Sequence, residues 1–274
     1  MGERHYENET AVDRIDDDSA GDTVRWGCIP SDRWNLGDNA NGGYALAPVV
    51  RALAEHTGMP DPLSLTTHFL RPLQPDGGPA TITTTVVRHG RTLATVEASL
   101  RHAGAERLRV LGAFGDLGRP AGGFEAELTL PPPPMPPPAD CPLRSGDDQG
   151  IDTPINQRVE VRIDPDLAVP GPDRAAEMRA WVRLVDGSPP TTRLLATLAD
   201  TVPPSVFTRY GRIGWVPTIE LTTQVRRRPS DGWILVATVC DDLTGGRMIE
   251  TGSLWDSTGT LVARSRQLGL VRAP

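Results

Sequence analysis

The stretch ELTTQVRRRP (220–229) decides the fold, because the chain has already written SLTTHFLRP at 64–72. Thr66 and Thr67 recur as Thr222 and Thr223, and Gly90, Arg91 and Thr95 recur as Gly246, Arg247 and Thr251. All five pairs share one offset, 156 residues (222 less 66). Solenoid repeats have periods of about 20–50 residues, so a period this long predicts two copies of one small fold.

The bulk numbers agree with a duplication. A chain of 274 residues holds two folds of about 120 residues plus a tail and a linker. Its net charge of −7 leaves no electrostatic footprint for nucleic acid. No apolar run approaches the roughly 18 residues that span a bilayer. The opening MGERHYENETAVDRIDDDSAGD is polar and acidic, without the apolar core of a signal peptide. Cys28, Cys141 and Cys240 are scattered without CxxC spacing, which argues against a zinc site or a disulfide framework. These features predict a soluble cytoplasmic protein that binds neither nucleic acid nor membrane and carries no metal or cofactor.

Residues 1–21 read as a disordered acidic tail. From Val24 the pattern is strand-like, and YALAPVVRALAEHTG (44–58) reads as a helix near 43–57, with Pro48 taken up near its start. The segments SLTTHFLRPL, ATITTTVVRHGRTLATVEASLRHAG and ERLRVLGAFGDL alternate in the manner of antiparallel strands joined by glycine hairpins. LPPPPMPPPADCP (130–142) cannot donate ladder hydrogen bonds and predicts an extended linker; its other reading is an SH3-type ligand. The second half repeats the plan, with strands at 159–163 and 177–185, a helix near 190–201, and four further strands to 271. One helix wrapped by a curved antiparallel sheet is the hotdog fold. The prediction is an α+β double hotdog with a tail at 1–21, hotdogs at 22–128 and 155–274, and a Pro-rich linker at 129–154.

Five segments carry a resemblance: NGGY at 41–44, PLSLTTHFLRP at 62–72, LLATLADTVPPSVF at 194–207, GWVPTIELTTQVRRRP at 214–229, and LWDSTGTLVARSRQLGLV at 254–271. In order and spacing the chain resembles the thioesterase-like double-hotdog proteins related to acyl-CoA thioesterase II, from about Val24 to Val271. The resemblance implies hydrolysis of an acyl-CoA of lipid metabolism without a covalent intermediate. An aspartate, a Ser or Thr, and a Gln would orient and activate a water. Carried over, these are Asp200, Thr218 and Gln267. Attack on a thioester needs a base within hydrogen-bond reach and donors facing the developing oxyanion. Asn41, Gly42 and Gly43 open the first helix, where backbone amides can polarise a carbonyl; Tyr44 completes the expected substrate-binding set.

Each residue also has a plainer reading. Asp200 lies off the Leu194–Leu195–Leu198 stripe, as a solvated helix-end aspartate would. Thr218 shares a strand face with Glu220 and Thr222, and Gln267 alternates with small residues, so both suit ordinary sheet positions; Glu220 is a further member of any polar network. Arg226, Arg227 and Arg228 suit either CoA phosphates or a solvated strand end. The chain has no GxSxG elbow and no D-x4-H pair, which argues against a serine hydrolase and a hotdog hydratase. At the common offset the three residues fall on Tyr44, Pro62 and Leu111, so one site per chain is expected. Partners expected are an acyl-CoA or acyl-carrier thioester and a second copy forming a homodimer through the sheets. A hotdog that binds an acyl thioester or apolar ligand without turnover is the alternative.

Overall fold

The computed structural model describes residues 4–15, 22–76, 78–119, 128–146, 151–211 and 215–271. Two strands at the middle of the sheet show why it is one sheet and not two. β5 (Asp61–Phe69) pairs antiparallel with β11 (Thr218–Val225), and Thr66 is the direct partner of Thr222. Their hydroxyls meet at 3.0 Å although the residues are 156 apart, so Thr66 bonds its own duplicate across a pseudo-twofold axis.

The remaining strands follow outward from that seam. The first half contains β1 (Asp13–Arg14), β2 (Thr23–Cys28), the small pair β3 (Asn35–Leu36) and β4 (Asn39–Ala40), then β6 (Ala80–His89), β7 (Leu93–His102) and β8 (Ala105–Gly115). The second contains β9 (Val159–Ile163), β10 (Glu177–Leu184), β12 (Ile234–Thr244), β13 (Arg247–Trp255) and β14 (Leu261–Leu270). The main sheet has 12 strands in the order β1-β2-β6-β7-β8-β5-β11-β14-β13-β12-β10-β9. Read from either edge to the centre, the two halves have the same order. The protein is an α+β double hotdog, as the repeated LTT segments predict.

Each half wraps a helix. α2 (Gly42–Thr57) opens on an Asn41 side chain that accepts from the Tyr44 amide at 3.1 Å and closes on Gly58 at φ 65, the left-handed conformation that glycine adopts without strain. Pro48 lies in its second turn, deeper than first-turn tolerance covers, so the Tyr44 carbonyl loses an intrahelical donor. Leu46, Val49, Val50 and Leu53 pack on Ile82, Val96, Leu100 and Phe114. α3 (Thr192–Leu198) is shorter; Leu194, Leu195 and Leu198 pack on Ala180, Val182, Val236 and Leu254. The helices start 150 residues apart (192 less 42), β5 and β11 keep 156 at Thr66 and Thr222, and β6 and β7 start 154 before β12 and β13, so the spacing slips between helix and sheet.

Two expectations need correction. His5–Glu9, assigned to a disordered tail, form a helix, α1. Tyr6 is buried edge-on to Trp34 at 5.8 Å, and Glu9 binds Arg158 at 2.7 Å and the Trp34 indole N–H at 2.7 Å. Acidic composition over 1–21 concealed one aromatic anchor and one specific acid; residues 16–21 lie outside the described residues. The proline run, for its part, carries neither helix nor strand over 128–137, yet it is a fastened strap. Trp255 and Trp181 donate to the carbonyls of Leu130 and Pro136, both at 2.8 Å, and Met135 packs on the cluster of Leu235, Trp255 and Leu261.

Candidate active site

The chain between α3 and β11, residues 199–217, has no counterpart in the first half, where only 58–60 join α2 to β5. It includes a short helix, α4 (Phe207–Tyr210), and forms one wall of a pocket of about 380 Å³. The opposite wall is the start of α2 and the end of β5 with Phe69. Asp200, Thr218, Gln267, Asn41 and Gly42 all line it.

Asp200 stands just past the end of α3 and against the beginning of α2. Its Oδ2 accepts from the Gly43 amide at 2.9 Å and from Asn41 Nδ2 at 3.1 Å, while Asn41 also donates to the Asp200 carbonyl at 2.7 Å. Oδ1 takes no hydrogen bond among the described residues and is not sealed from solvent, so it is the oxygen open to the pocket. The plain reading, a solvated aspartate, is therefore wrong: protein surrounds the carboxylate everywhere except on the pocket side. Burial is the main cause that pushes its pKa up to about 6; the Glu250 charge adds to it, and the Gly43 and Asn41 donors oppose it. A Cβ on Gly42 would sit 2.8 Å from Asp200 Oδ2, and one on Gly43 would sit 2.5 Å from the Thr197 carbonyl oxygen. The two glycines thus let α2 approach the carboxylate and α3. The Gly43 amide is already engaged by Asp200, which corrects the expectation that it faces a thioester carbonyl.

Thr218 and Gln267 meet directly. Thr218 Oγ1 donates to Gln267 Oε1 at 3.0 Å, and Gln267 Nε2 donates to Glu250 Oε1 at 2.5 Å. Glu250 Oε2 accepts from the Ser205 amide at 2.7 Å and from the Ser205 hydroxyl. Burial pushes the Glu250 pKa up, against the pull of these donors. Sequence reasoning missed Glu250 and Ser205. Glu250 is 4 % exposed, and the usable signal was a glutamate amid the inward-facing β13 positions Met248, Gly252 and Leu254.

Three other expectations fall elsewhere. Tyr44 is core: 1 % exposed, stacked on Trp34 at 5.0 Å, with its hydroxyl donating to the Glu9 carbonyl at 2.8 Å, so it is no substrate-binding residue. Glu220 accepts from Thr222 at 2.6 Å and is not among the pocket-lining residues. Arg228 is tied to Asp61 and Asp116, both at 2.7 Å, and does not line the pocket either. Among the described residues no group of three or more His, Cys, Asp or Glu is arranged to hold a metal ion, and no helix is long and apolar enough to cross a membrane.

Comparison with known proteins fits this geometry. Residues 30–115 match the model of the acyl-CoA thioesterase N-terminal domain, and 133–271 match that of the C-terminal domain. A solved structure from Thermobifida fusca, provisionally described as a thioesterase II, superposes with a TM-score of 0.83 at 28 % identity, covering 97 % of each chain. An acyl-CoA thioesterase II from Mycobacterium marinum superposes with a TM-score of 0.75 at 20 % identity over 98 % of each chain, a likeness of fold. An uncharacterized protein of Mycobacterium tuberculosis is 24 % identical over 264 residues, 89 % of each chain.

Proposed function

The chain belongs to the acyl-CoA thioesterase family of thioester hydrolases, and from that premise we propose that Asp200, Thr218 and Gln267 hydrolyse an acyl-CoA at one site per chain. The observation that carries the reading is the Asp200 carboxylate. It is held by its Oδ2, open to the pocket at its Oδ1, and raised to a pKa of about 6, which suits a base working near neutrality.

The hydrogen-bond directions supply the rest of the mechanism. Gln267 Oε1 accepts the hydrogen bond of the Thr218 hydroxyl, so the Thr218 oxygen has lone pairs left for the pocket. A water between Asp200 Oδ1 and Thr218 Oγ1 would donate one proton to each and keep a lone pair for the thioester carbon. Asp200 accepts the proton as the carbon–oxygen bond forms. Collapse of the tetrahedral adduct expels the thiolate, and the Asp200 proton balances it. Gln267 has one N–H committed to Glu250 and a second available to the developing oxyanion. Glu250 is a positioning residue: it fixes which way the Gln267 amide points, and Ser205 fixes Glu250.

The pocket's apolar lining, with Phe69, Leu108, Val202, Phe207 and Met248, suits an acyl chain. Association of two chains through their sheets belongs to the same proposal and is read by sedimentation. The test is a hydrolysis screen across acyl-CoA chain lengths reporting free thiol. Turnover that Asp200→Asn removes supports the reading. Tight binding of every acyl-CoA with no turnover in the wild type supports the non-catalytic binding protein instead.

A further inference from the structure

The mouth of the pocket holds two guanidinium groups, Arg71 and Arg107. They are built into one turn. The Leu70 and Arg71 amides both donate to the Arg107 carbonyl, at 2.8 and 3.2 Å. Arg107 Nη1 donates to the Pro72 carbonyl at 2.9 Å and its Nε to the His102 carbonyl at 3.1 Å, while Arg71 Nη1 donates to the Glu106 carbonyl at 3.3 Å. Every one of these acceptors is a neutral carbonyl. Among the described residues neither guanidinium makes an ion pair, and the neighbouring Glu106 carboxylate is bound by Arg109 at 2.8 Å.

The second half has the same turn away from the pocket. The Arg226 and Arg227 amides both donate to the Val262 carbonyl, at 2.7 and 3.3 Å, and Arg227 Nη1 donates to the Leu261 carbonyl at 3.3 Å as Arg71 does to that of Glu106, but only the first half's turn lines the pocket. Two cations without an ion pair at the pocket, Arg71 sharing the field of Glu106 with Arg109, are a local attraction for an anion against the general field of a protein of net charge −7. Their position relative to the chemistry is fixed by Phe69. Its ring lies where a Cβ on Gly42 would come within 3.2 Å, beside Asp200. Arg71 follows two residues later, at most about 7 Å of backbone away, with its guanidinium on the Glu106 carbonyl.

We propose that Arg71 and Arg107 bind the phosphate that ends the pantetheine arm of the substrate's carrier, holding it at the rim while the thioester reaches Asp200. This rests on the thioesterase reading and adds the carrier's recognition to it. Arginine suits the role because its fork of donors fits a phosphate and stays charged.

The experiment uses one acyl group carried on CoA, on phosphopantetheine and on pantetheine. Arg71→Ala is expected to raise KM for acyl-CoA and acyl-phosphopantetheine roughly three- to tenfold, as an exposed charge-assisted contact would. Turnover of acyl-pantetheine stays unchanged, and Arg71→Glu deepens the loss. The difference from wild type shrinks at high salt. Arg107→Lys, which keeps the charge where alanine would strip the turn, is expected to cost less than Arg71→Glu. A larger loss with acyl-CoA than with acyl-phosphopantetheine supports free CoA as the carrier, and equal losses support a phosphopantetheinyl carrier protein. An equal rise for all three substrates, or no rise, overturns the proposal. Acyl-pantetheine turnover by the wild type reads the hydrolysis independently of any phosphate. Should the wild type hydrolyse none of the three, the calorimetric affinity of CoA and its loss in Arg71→Ala still decide.

Discussion

The two halves share a strand order and differ in what they do with a buried carboxylate. In the first half, Asp61 sits beside the start of α3, accepting from the Thr192 hydroxyl at 2.7 Å and from Arg228 at 2.7 Å. Burial alone would raise its pKa, but Arg228, Thr192 and the Leu117 amide together bring it below the ordinary value. In the second, Asp200 sits against the start of α2 with amide donors and no cation, and its pKa rises to about 6. The other site positions diverge in the same direction. Thr218, Glu250 and Gln267 stand opposite Pro62, Val96 and Gly112 in the strand registers, and Asp200 stands opposite Val50 when the helix starts are aligned. The duplicated scaffold holds a carboxylate neutralised by arginine in one copy and one without a cation, beside the pocket, in the other.

The largest expected effect follows from removing the un-neutralised charge. Asp200→Asn is expected to lower kcat by about a hundred- to ten-thousandfold, since an amide cannot take the water's proton. The same change is expected to stabilise the fold at pH 8. A carboxylate whose folded pKa is raised favours the folded state only below its unfolded value, and that advantage is lost as pH rises through about 6. Removing the group should thus recover on the order of 2–3 kcal/mol at pH 8 and nothing near pH 4. Thermal melts at the two pH values read this directly.

Next is Glu250→Gln. One carboxylate oxygen becomes a donor, so Gln267 and Ser205 can no longer both be accepted, which is expected to lower kcat about tenfold with KM little changed. Removing a negative charge near Asp200 lowers the Asp200 pKa, so the acid limb of the rate profile should move to lower pH. A merely structural Glu250 would lower activity with the limb unmoved.

Arg228→Ala tests the other half. It leaves the buried Asp61 without its cation and is expected to cost about 1–3 kcal/mol of stability at pH 7, the half-exposed guanidinium limiting the loss. Denaturant unfolding measures it, and kcat stays within twofold. The smallest effect is Tyr44→Phe. Losing the hydroxyl that donates to Glu9 and accepts from Ser31 should cost about 1 kcal/mol by the same measurement, with KM unchanged.

Much of this contrast was legible in the sequence. The repeated LTT segments register Thr66 on Thr222, while β2, β6 and β7 start 154 residues before β10, β12 and β13, so the spacing drifts by only two residues across those strands. The helices escaped the count because the longer connection at 199–217 consumes chain that α2 spends on helix. At the observed helix spacing Asp200 falls opposite Val50 rather than Tyr44. Helical periodicity put Asp200 off the apolar stripe correctly, but no local pattern reveals that the start of another helix covers it. Glu250 was hidden for the same reason: its partners, Ser205 and Gln267, come from a loop and a strand distant in sequence. The ordered α1 depends on Trp34, Tyr44 and Arg158, none of which composition over 1–21 can register.

The central claim is that the un-neutralised carboxylate of the second half is the base. The measurement that tests it most directly is kcat/KM for one acyl-CoA against pH, in the wild type and in Asp200→Asn. The account predicts a wild-type rate that rises with pH and levels above about 6, an ionisation belonging to Asp200 and Glu250 as a coupled pair. It also predicts a residual rate in Asp200→Asn that has lost that limb. A variant that retains both the wild-type rate and its limb near 6 would contradict it.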